Sequence, residues 1–260
     1  MSSLTVSLIQ FDIKWESVSE NLLFLENKIL QLPPTNEIVV LPEMFSTGFT
    51  MNSKSNAETM EGQTVSWMKN ISAKSGNIIT GSIIVTENGK YYNRLIWMQP
   101  NGIYYCYDKR HLFAFADENK NFNPGEKRVI TSVNGWKINL LICYDLRFPV
   151  WCRQSFPNEY DILLFVANWP QQRVYAWETL LKARSIENQC FTIGVNRCGI
   201  DNNKIYYNGQ SIISGTDGTV IKNAGERENI ITYTFHKKQL TDFRQRFPFL
   251  KDADEFKIFN

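Results

Sequence analysis

The chain has 260 residues, of which 43% are hydrophobic and 21% charged, and its formal net charge is +2. This composition excludes intrinsic disorder, which requires low hydrophobicity and high net charge. The small net charge gives no electrostatic reason to expect binding to nucleic acid or to an anionic membrane. No apolar run approaches the roughly 20 residues that a membrane-spanning helix needs.

The cysteines and the N-terminus indicate a reducing compartment. There are five cysteines, an odd number, and none form a Cys-x-x-Cys pair. Asp12, Lys14 and Glu16 interrupt the N-terminal apolar stretch, so no secretory signal is recognisable. We therefore expect free thiols and a cytoplasmic protein. With only His111 and His236 in the chain, no histidine-rich metal site is expected.

The first half of the chain is predicted to be mainly strands, with two helices between them. Alternating or short apolar runs indicate strands, apolar stripes at helical spacing indicate helices, and Asn-Gly dipeptides indicate hairpin turns. In chain order the predicted elements are a strand at 4–10, a helix at 17–32, a strand at 37–41, a helix at 64–75, and strands at 78–85, 91–98 and 103–108.

The second half continues in the same manner. Its predicted elements are strands at 128–133 and 136–143, a short helix at 150–155, a strand at 162–167, a helix at 176–188, strands at 191–195, 209–213, 220–223 and 229–235, and a helical turn at 237–243. No Pro/Gly/Ser-rich linker or internal repeat divides the chain. We therefore predict one α/β domain over residues 1–260, with helices covering the outer faces of packed sheets.

Three predicted strands end in side chains that are chemically reactive or charged. Cys143 ends the strand at 136–143, Glu43 follows the strand at 37–41, and Lys109 follows the strand at 103–108. Such strand ends are where α/β folds keep their functional sites. Hydrolysis of an amide through an acyl-enzyme needs a nucleophile, a base and donors for the oxyanion. We predict Cys143 as nucleophile, Glu43 as base, and Lys109 with the backbone N–H of Tyr144 as oxyanion donors.

Each residue taken alone also has an ordinary structural interpretation. A cysteine at a strand end is often a small buried hydrophobe. Glu43 fits a loop carboxylate or a helix cap, and Lys109 lies in a charged cluster with Asp108 and Arg110 that is typical of a solvated face. The presence of all three residues in one chain, each at a predicted strand end, favours the catalytic interpretation.

Six sequence blocks resemble the nitrilase superfamily of carbon–nitrogen hydrolases. The blocks around that family's glutamate, lysine and cysteine resemble Leu-Pro-Glu-Met-Phe at 41–45, Tyr-Asp-Lys-Arg-His-Leu at 107–112 and Cys-Tyr-Asp-Leu-Arg-Phe-Pro at 143–149. Three later blocks resemble Asn-Trp-Pro at 168–170, Ala-Arg-Ser-Ile-Glu-Asn at 183–188 and Val-Asn-Arg at 195–197. The resemblance implies a four-layer αββα sandwich with two mixed sheets, no metal or organic cofactor, and a homodimer.

The same resemblance implies a second glutamate ahead of a Pro-Gly pair. Glu118 stands at that place and would orient Lys109 and the substrate, although Asp117 and Glu126 are close in sequence. His111 is not the base in this family. The resemblance thus implies a thiol activated by a carboxylate and an ammonium.

The branch that the chain resembles most is the bacterial ω-amidases. These enzymes hydrolyse the terminal amide of 2-oxoglutaramate, or of a similar short dicarboxylic acid monoamide, to the acid and ammonia. The alternative within the superfamily is a nitrilase, an N-carbamoyl hydrolase or an amidase for deaminated glutathione. Two further classes stay open, namely a non-catalytic binding protein on this fold and a redox-sensing protein that pairs Cys143 with Cys152.

A substrate of this kind has a carboxylate distant from its amide, and guanidinium groups pair with carboxylates through two hydrogen bonds. Arg173 is the preferred candidate ligand, while Arg110 and Arg197 are alternatives. For Arg147 we predict an ion pair with the nearby Asp145. The candidate pocket walls are aromatic: Trp169, Phe113, Phe45 and Tyr144.

The C-terminal tail, at about 244–260, is rich in aromatic residues. They are Phe247, Phe249, Phe256 and Phe259. Exposed aromatic clusters often mark interfaces. The tail is therefore predicted either to cover a partner subunit in a homodimer or to pack back on its own domain.

Overall fold

In this computed structural model, which describes residues 2–155 and 158–258, the strands form two six-stranded sheets and a two-stranded ribbon. The strands are β1 (Ser3–Gln10), β2 (Ile38–Val40), β3 (Ile78–Glu87), β4 (Lys90–Met98), β5 (Tyr104–Asp108), β6 (Ile130–Val133), β7 (Trp136–Ile142), β8 (Ile162–Ala167), β9 (Phe191–Asn196), β10 (Cys198–Ile200), β11 (Tyr206–Asn208), β12 (Ile212–Ser214), β13 (Val220–Asn223) and β14 (Asn229–His236).

Helices lie between these strands and on the outside of the sheets. They are α1 (Val18–Ile29), α2 (Ser53–Asn56), α3 (Gln63–Ser75), α4 (Glu118–Asn121), α5 (Pro149–Cys152), α6 (Val174–Asn188) and α7 (Lys237–Arg246). Short 3-10 turns occur at Ala114–Ala116, Cys143–Arg147, Gln171–Arg173 and Phe249–Asp252. No helix among the described residues is both long and apolar enough to cross a membrane.

The two large sheets are mixed and have the same pairing pattern. The first has the order β14-β1-β2-β3-β4-β5, with β1, β2 and β3 parallel. The second has the order β13-β12-β9-β8-β7-β6, with β7, β8 and β9 parallel. All remaining pairs in both sheets are antiparallel. The ribbon pairs β10 with β11 after the end of β9.

Side-chain alternation places the sheets face to face. In β2, Ile38 and Val40 belong to the core between the sheets, whereas Val39 packs outward with Leu25 of α1 and Met68 of α3. Successive side chains of a strand point to opposite faces, so one short apolar strand serves both layers.

Helix α6 covers the outer face of the second sheet. Gly194 of β9 allows this close approach, because a Cβ there would lie 2.5 Å from Leu181 and 2.7 Å from Trp177 of the helix. The layers are therefore helix, sheet, sheet and helix. The four-layer αββα sandwich is confirmed.

Some predicted elements differ in position. The strand at 209–213 is wrong, because Gly209 and Gln210 have φ values of +66° and +61°, which regular strands do not accommodate. That strand begins at Ile212 instead. The helix predicted at 150–155 is Pro149–Cys152, with proline at its first position, where its missing N–H has no intrahelical role. The ribbon and the short helices α2 and α4 were not predicted.

The C-terminal region packs partly on its own domain, because Gln189 donates to the backbone oxygen of Phe247 at 2.7 Å and Ile258 packs against the core. Helix α7 continues to Arg246, and the Phe247 ring lies 5.3 Å from that of Phe243 and 5.6 Å from that of Phe249. Phe249 is 62% exposed and Phe256 is half-buried. Phe259 lies outside the described residues.

Candidate active site

The structure brings together the three strand ends that the sequence singled out. Glu43 follows β2 and Lys109 follows β5 in the first sheet, while Cys143 follows β7 in the second. Glu43 and Lys109 are fully buried, and Cys143 is 9% exposed. The site therefore lies where the two sheets meet.

Lys109 is held between two carboxylates. Its Nζ donates to Glu43 Oε1 at 2.7 Å and to both oxygens of Glu118, at 3.0 Å and 2.9 Å. Glu118 opens helix α4, is fully buried, and also accepts the backbone N–H of Phe113 at 2.6 Å. The neighbouring Asp117 instead pairs with the exposed Lys120. Of the acidic residues in this segment, Glu118 is the one that contacts Lys109.

The charges of this cluster stabilise one another. Burial alone would lower the pKa of Lys109, but the charges of Glu118 and Glu43 outweigh it and raise that pKa. Burial raises the pKa of Glu118, an effect that Lys109 only partly offsets. Two glutamate side chains thus share the single ammonium of Lys109 beside Cys143.

Cys143 sits on a strained turn. Strand β7 ends at Ile142, and Cys143 has a φ of +43°, a left-handed conformation that non-glycine residues rarely adopt. The 3-10 turn Cys143–Arg147 follows, so the N–H of Tyr144 lies in a first turn, where backbone donors have no intrahelical acceptor. The Sγ of Cys143 lies 3.9 Å from the backbone oxygen of Asn168.

The thiol of Cys143 is held in its neutral form. Burial raises its pKa well above the ordinary value of 9.0, and the Glu43 carboxylate raises it further. Lys109 lowers the pKa but does not reverse the shift. Burial and the Glu43 carboxylate together therefore outweigh Lys109 in their effect on the pKa of this thiol.

Two asparagines that the sequence did not single out complete the cluster. Asn93 of β4 donates to Glu43 Oε1 at 2.8 Å and to Glu118 Oε1 at 3.1 Å. The backbone N–H of Asn168 donates to Glu43 Oε2 at 2.9 Å. Together with Lys109, they fix the orientation of the Glu43 carboxylate. Asn168 was visible only as part of the Asn-Trp-Pro block, and Asn93 gave no local signal.

A cleft of about 690 Å³, including its open mouth, leads down to Cys143 and Lys109. Of the predicted substrate-binding residues, Arg173, Trp169 and Phe113 line it, as does Tyr144. One wall comes from the segment around the β10–β11 ribbon. Its cleft-lining residues are Asp201, Asn203, Ile205 and Tyr207.

Phe45 is not a wall of this cleft, which corrects the prediction. Its ring is fully buried between the first sheet and its helices, 6.1 Å from the ring of Trp67 in α3. It occupies the space that a side chain at Gly81 of β3 would need. Phe45 lies only two residues after Glu43, but it contributes to the outer core.

The predicted ion pair between Arg147 and Asp145 is wrong. Asp145 contacts Tyr107, His111 and the backbone N–H of Ile142. The Arg147 guanidinium instead lies 4.9 Å from the ring centre of Trp169 and lines the cleft, as does Arg173, which lies over Phe113. In the described part of the chain, neither guanidinium forms a salt bridge.

The other arginine candidates lie elsewhere. Arg197 is fully buried and pairs with Asp12 at 2.8 Å, while Arg110 donates to the backbone oxygen of Gly125. Neither lines the cleft. Both therefore support the surrounding structure.

The remaining sequence candidates also have definite places. His111 Nδ1 lies 2.8 Å from Asp145 Oδ1, and the His111 ring stacks on Phe148 at 3.7 Å. Cys152 Sγ contacts the backbone oxygen of Asp145 at 3.4 Å. All five cysteines are free thiols, and no group of three or more metal-ligating side chains occurs within residues 2–155 and 158–258.

Comparison with known proteins identifies the family of this chain. Residues 5–245 match the family described as carbon–nitrogen hydrolase. The chain belongs to the carbon–nitrogen hydrolase family. The resemblance inferred from the sequence blocks is thereby confirmed, and so is the assignment of the protein as an enzyme.

Three relatives illustrate the extent of the similarity. The chain is 37% identical to the ω-amidase YafV of Escherichia coli K12, over 99% of this chain and 100% of that protein. It is 33% identical to a 2-oxoglutaramate amidase of Bacillus subtilis, over 95% and 96%. It is 40% identical to a carbon–nitrogen hydrolase superfamily protein of Xanthomonas campestris, whose structure carries an arsenic adduct in the active site. That structure aligns with a TM-score of 0.97 over 99% of this chain and 100% of the other.

Proposed function

We propose that this carbon–nitrogen hydrolase is an ω-amidase that releases ammonia from 2-oxoglutaramate or a similar short dicarboxylic acid monoamide. The observation that carries the proposal is the buried cluster of Cys143, Glu43 and Lys109 at the base of a cleft lined by Arg147 and Arg173. Relatives named as ω-amidase and 2-oxoglutaramate amidase, similar over nearly the whole chain, support the same substrate class.

The first step forms an acyl-enzyme. Since the thiol is neutral at rest, Glu43 takes its proton as the sulfur attacks the amide carbon. The carbonyl oxygen becomes an oxyanion, which Lys109 and the backbone N–H of Tyr144 stabilise. A single donor of this kind contributes about 3–4 kcal/mol. Lys109 is positioned for this because Glu118 holds it through two contacts.

The second step releases ammonia and restores the enzyme. Glu43 returns its proton to the amide nitrogen as the carbon–nitrogen bond breaks, leaving a thioester on Cys143 and free ammonia. Glu43 then takes a proton from water as that water attacks the thioester carbon. The acid leaves when the sulfur regains the proton, so each proton that Glu43 takes is given back.

Arg147 and Arg173 are proposed to bind the distal carboxylate. Both line the cleft, and neither forms a salt bridge in the described part of the chain. Trp169 contacts both arginines. Its ring lies beneath the Arg147 guanidinium, and its Nε1 donates to the backbone oxygen of Arg173 at 2.7 Å. Such a pair would select ω-amides that carry a negative charge.

A substrate panel tests the proposed activity. Ammonia release is measured from 2-oxoglutaramate, an uncharged pentanamide, a nitrile and an N-carbamoyl amino acid, and release of cysteinylglycine is measured from deaminated glutathione, whose hydrolysis produces no ammonia. We expect 2-oxoglutaramate to have the highest kcat/KM. Preferred turnover of the nitrile, the carbamoyl compound or deaminated glutathione would refute the proposed substrate and favour that alternative activity.

The arginine pair has its own test. Arg147→Gln and Arg173→Gln should each lower kcat/KM for 2-oxoglutaramate about 10–100-fold, since each loses a charged hydrogen bond. Turnover of pentanamide should change by less than about threefold, because that amide has no carboxylate to bind. Arg227→Gln, at an exposed position outside the cleft, is the matched control. Equal losses on both substrates would contradict carboxylate binding.

We also propose a homodimer in the cytoplasm, with the tail from about residue 244 at the interface. The exposed Phe249 and half-buried Phe256 support the interface, and the five free thiols suit a reducing compartment. Light scattering should give a mass about twice 30.2 kDa. A monomer across the concentration range would refute the dimer.

A further inference from the structure

The carboxylate of Asp145, two residues after Cys143, is fully buried and surrounded by donors. Its Oδ2 accepts the hydroxyl of Tyr107 at 2.7 Å and the backbone N–H of Ile142 at 3.0 Å. Its Oδ1 accepts the backbone N–H of His111 at 3.0 Å and lies 2.8 Å from that residue's Nδ1. None of the proposed chemical steps uses this carboxylate.

These contacts connect the two sheets at the site. Tyr107 lies on β5 of the first sheet, two residues before Lys109. Ile142 is the last residue of β7 in the second sheet, and Asp145 lies in the turn that follows, on the other side of Cys143. The buried hydrogen bond between Tyr107 and Asp145 therefore links the strand end that supplies the ammonium to the turn that supplies the thiol, and the contacts of His111 with Asp145 add to this link.

Tyr107 remains a donor throughout the working pH range. Burial raises its pKa well above the ordinary value of 10.0, and the charge of Asp145 raises it further. Its oxygen in turn accepts the indole N–H of Trp151 at 2.9 Å and the backbone N–H of Arg110 at 3.3 Å. The hydroxyl is thus held in one orientation, towards Asp145.

The turn needs such support because Cys143 has an unfavourable backbone conformation. A non-glycine residue with a φ of +43° persists only where the surrounding contacts over-determine it. The Ile142 N–H bonded to Asp145 immediately precedes Cys143, so Asp145 holds the turn from the inside. Arg184 holds the other end, donating to the backbone oxygen of Leu146 at 3.1 Å and 2.7 Å.

We propose that Asp145 and Tyr107 are positioning residues, which keep Cys143 and the N–H of Tyr144 in register with Lys109 during attack and collapse. This inference rests on the proposed acyl-enzyme function of Cys143. Asp145 and Tyr107 contact no reacting atom in that scheme. Misplacement of reacting groups by about 1 Å costs on the order of 100-fold in rate, so loss of the link should lower kcat with little change in substrate binding.

The test compares Tyr107→Phe with Tyr105→Phe, a half-exposed tyrosine on the same strand. For 2-oxoglutaramate, Tyr107→Phe should lower kcat about 10–100-fold while KM changes by less than about threefold. Asp145→Asn should lower kcat at least as much, because an NH₂ group then faces donors. Trp151→Phe, which leaves the link intact, should have a smaller effect than either, and Tyr105→Phe should match the parent.

A second measurement separates positioning from a change in the thiol. The pH at which Cys143 ionises should stay within about half a unit in Tyr107→Phe, because the charges that shift it most are those of Glu43, Lys109 and Glu118. Folding is checked by near-ultraviolet circular dichroism. A folded Tyr107→Phe variant with kcat within twofold of the parent would overturn the inference, as would a loss fully explained by a shifted thiol pKa.

Cys143→Ala is assayed in parallel so that the two proposals fail separately. If Cys143→Ala still releases ammonia, the acyl-enzyme function is refuted and the positioning role with it. If Cys143→Ala is inactive while Tyr107→Phe turns over normally, only the positioning role is refuted.

Discussion

The two large sheets are built alike but contribute differently to the site. The first sheet, starting from β14, and the second, starting from β6, have the same order of strand pairings. In each, the successive pairs are antiparallel, parallel, parallel, antiparallel and antiparallel. Strands β2 and β8 occupy equivalent central places. Glu43 follows one and Asn168 follows the other, and the two residues contact each other. The chain thus contains a repeated sheet topology that its sequence does not reveal.

The difference lies in what each sheet supplies. The first sheet and the segment after it provide the fixed charges, Glu43, Lys109 and Glu118. The second provides the thiol of Cys143 on a strained turn, with the backbone donor of Tyr144 beside it. Each sheet also helps to hold the other's group, because Asn168 after β8 donates to Glu43 and Tyr107 of β5 donates to Asp145 in the turn of Cys143.

The largest expected effect comes from changing the charge that faces the thiol. Glu43→Gln should lower kcat about 10³-fold, because proton transfer by a positioned base contributes about 10²–10⁴-fold. The pKa of the Cys143 thiol should fall at the same time, since the Glu43 charge raises it. Turnover and thiolate absorbance are measured against pH on the same preparation.

Lys109→Met is the natural counterpart, because Lys109 lowers the thiol pKa and its removal should raise it. If both variants move the thiol pKa in the same direction, the first sheet does not control the thiol by charge.

The next effect is on stability. Lys109→Met leaves Glu43 and Glu118 buried without their cation and should cost about 3–5 kcal/mol in the free energy of unfolding. Adding Glu118→Gln removes one of the two stranded carboxylates and should restore part of that loss. Urea unfolding of the single and double variants measures it. If the double variant is no more stable than Lys109→Met, the stranded carboxylates are not the cause of the lost unfolding free energy.

The smallest effect concerns the four buried thiols, all of which lie in the second half of the chain. Burial raises the pKa of Cys190 above the ordinary 9.0, so this thiol is neutral in the fold but ionises in the unfolded chain above that pH. The stability that the neutral Cys190 thiol contributes to the fold is complete below about pH 9. It is lost as the pH rises towards the pKa of this thiol in the folded state. The loss is about 1.4 kcal/mol per pH unit above 9.

Cys190→Ala should therefore flatten the decline of the unfolding free energy between about pH 9 and 11. The parent chain is measured by urea unfolding at the same pH values. An unchanged slope would contradict a neutral buried thiol at this position.

Much of the site was recognisable from the sequence because it follows strands. The apolar runs before Glu43 and Cys143 and the alternation before Lys109 mark strand ends, and in α/β folds such ends meet. Glu118 required the family resemblance, since Asp117 beside it has the same local chemistry. In the structure Glu118 contacts Lys109, whereas Asp117 pairs with Lys120.

What only the tertiary structure decided is where loop side chains point. Phe45 turns to the outer core because Gly81 leaves room for its ring, and Arg147 turns to the cleft because Tyr107 and His111 already occupy Asp145. Periodicity assigns faces only within regular helices and strands. Beyond a strand end, contacts from distant parts of the chain set the direction. The sequence by itself therefore determined the strand ends that carry Glu43, Lys109 and Cys143, and the packing of the two sheets determined which other side chains join them.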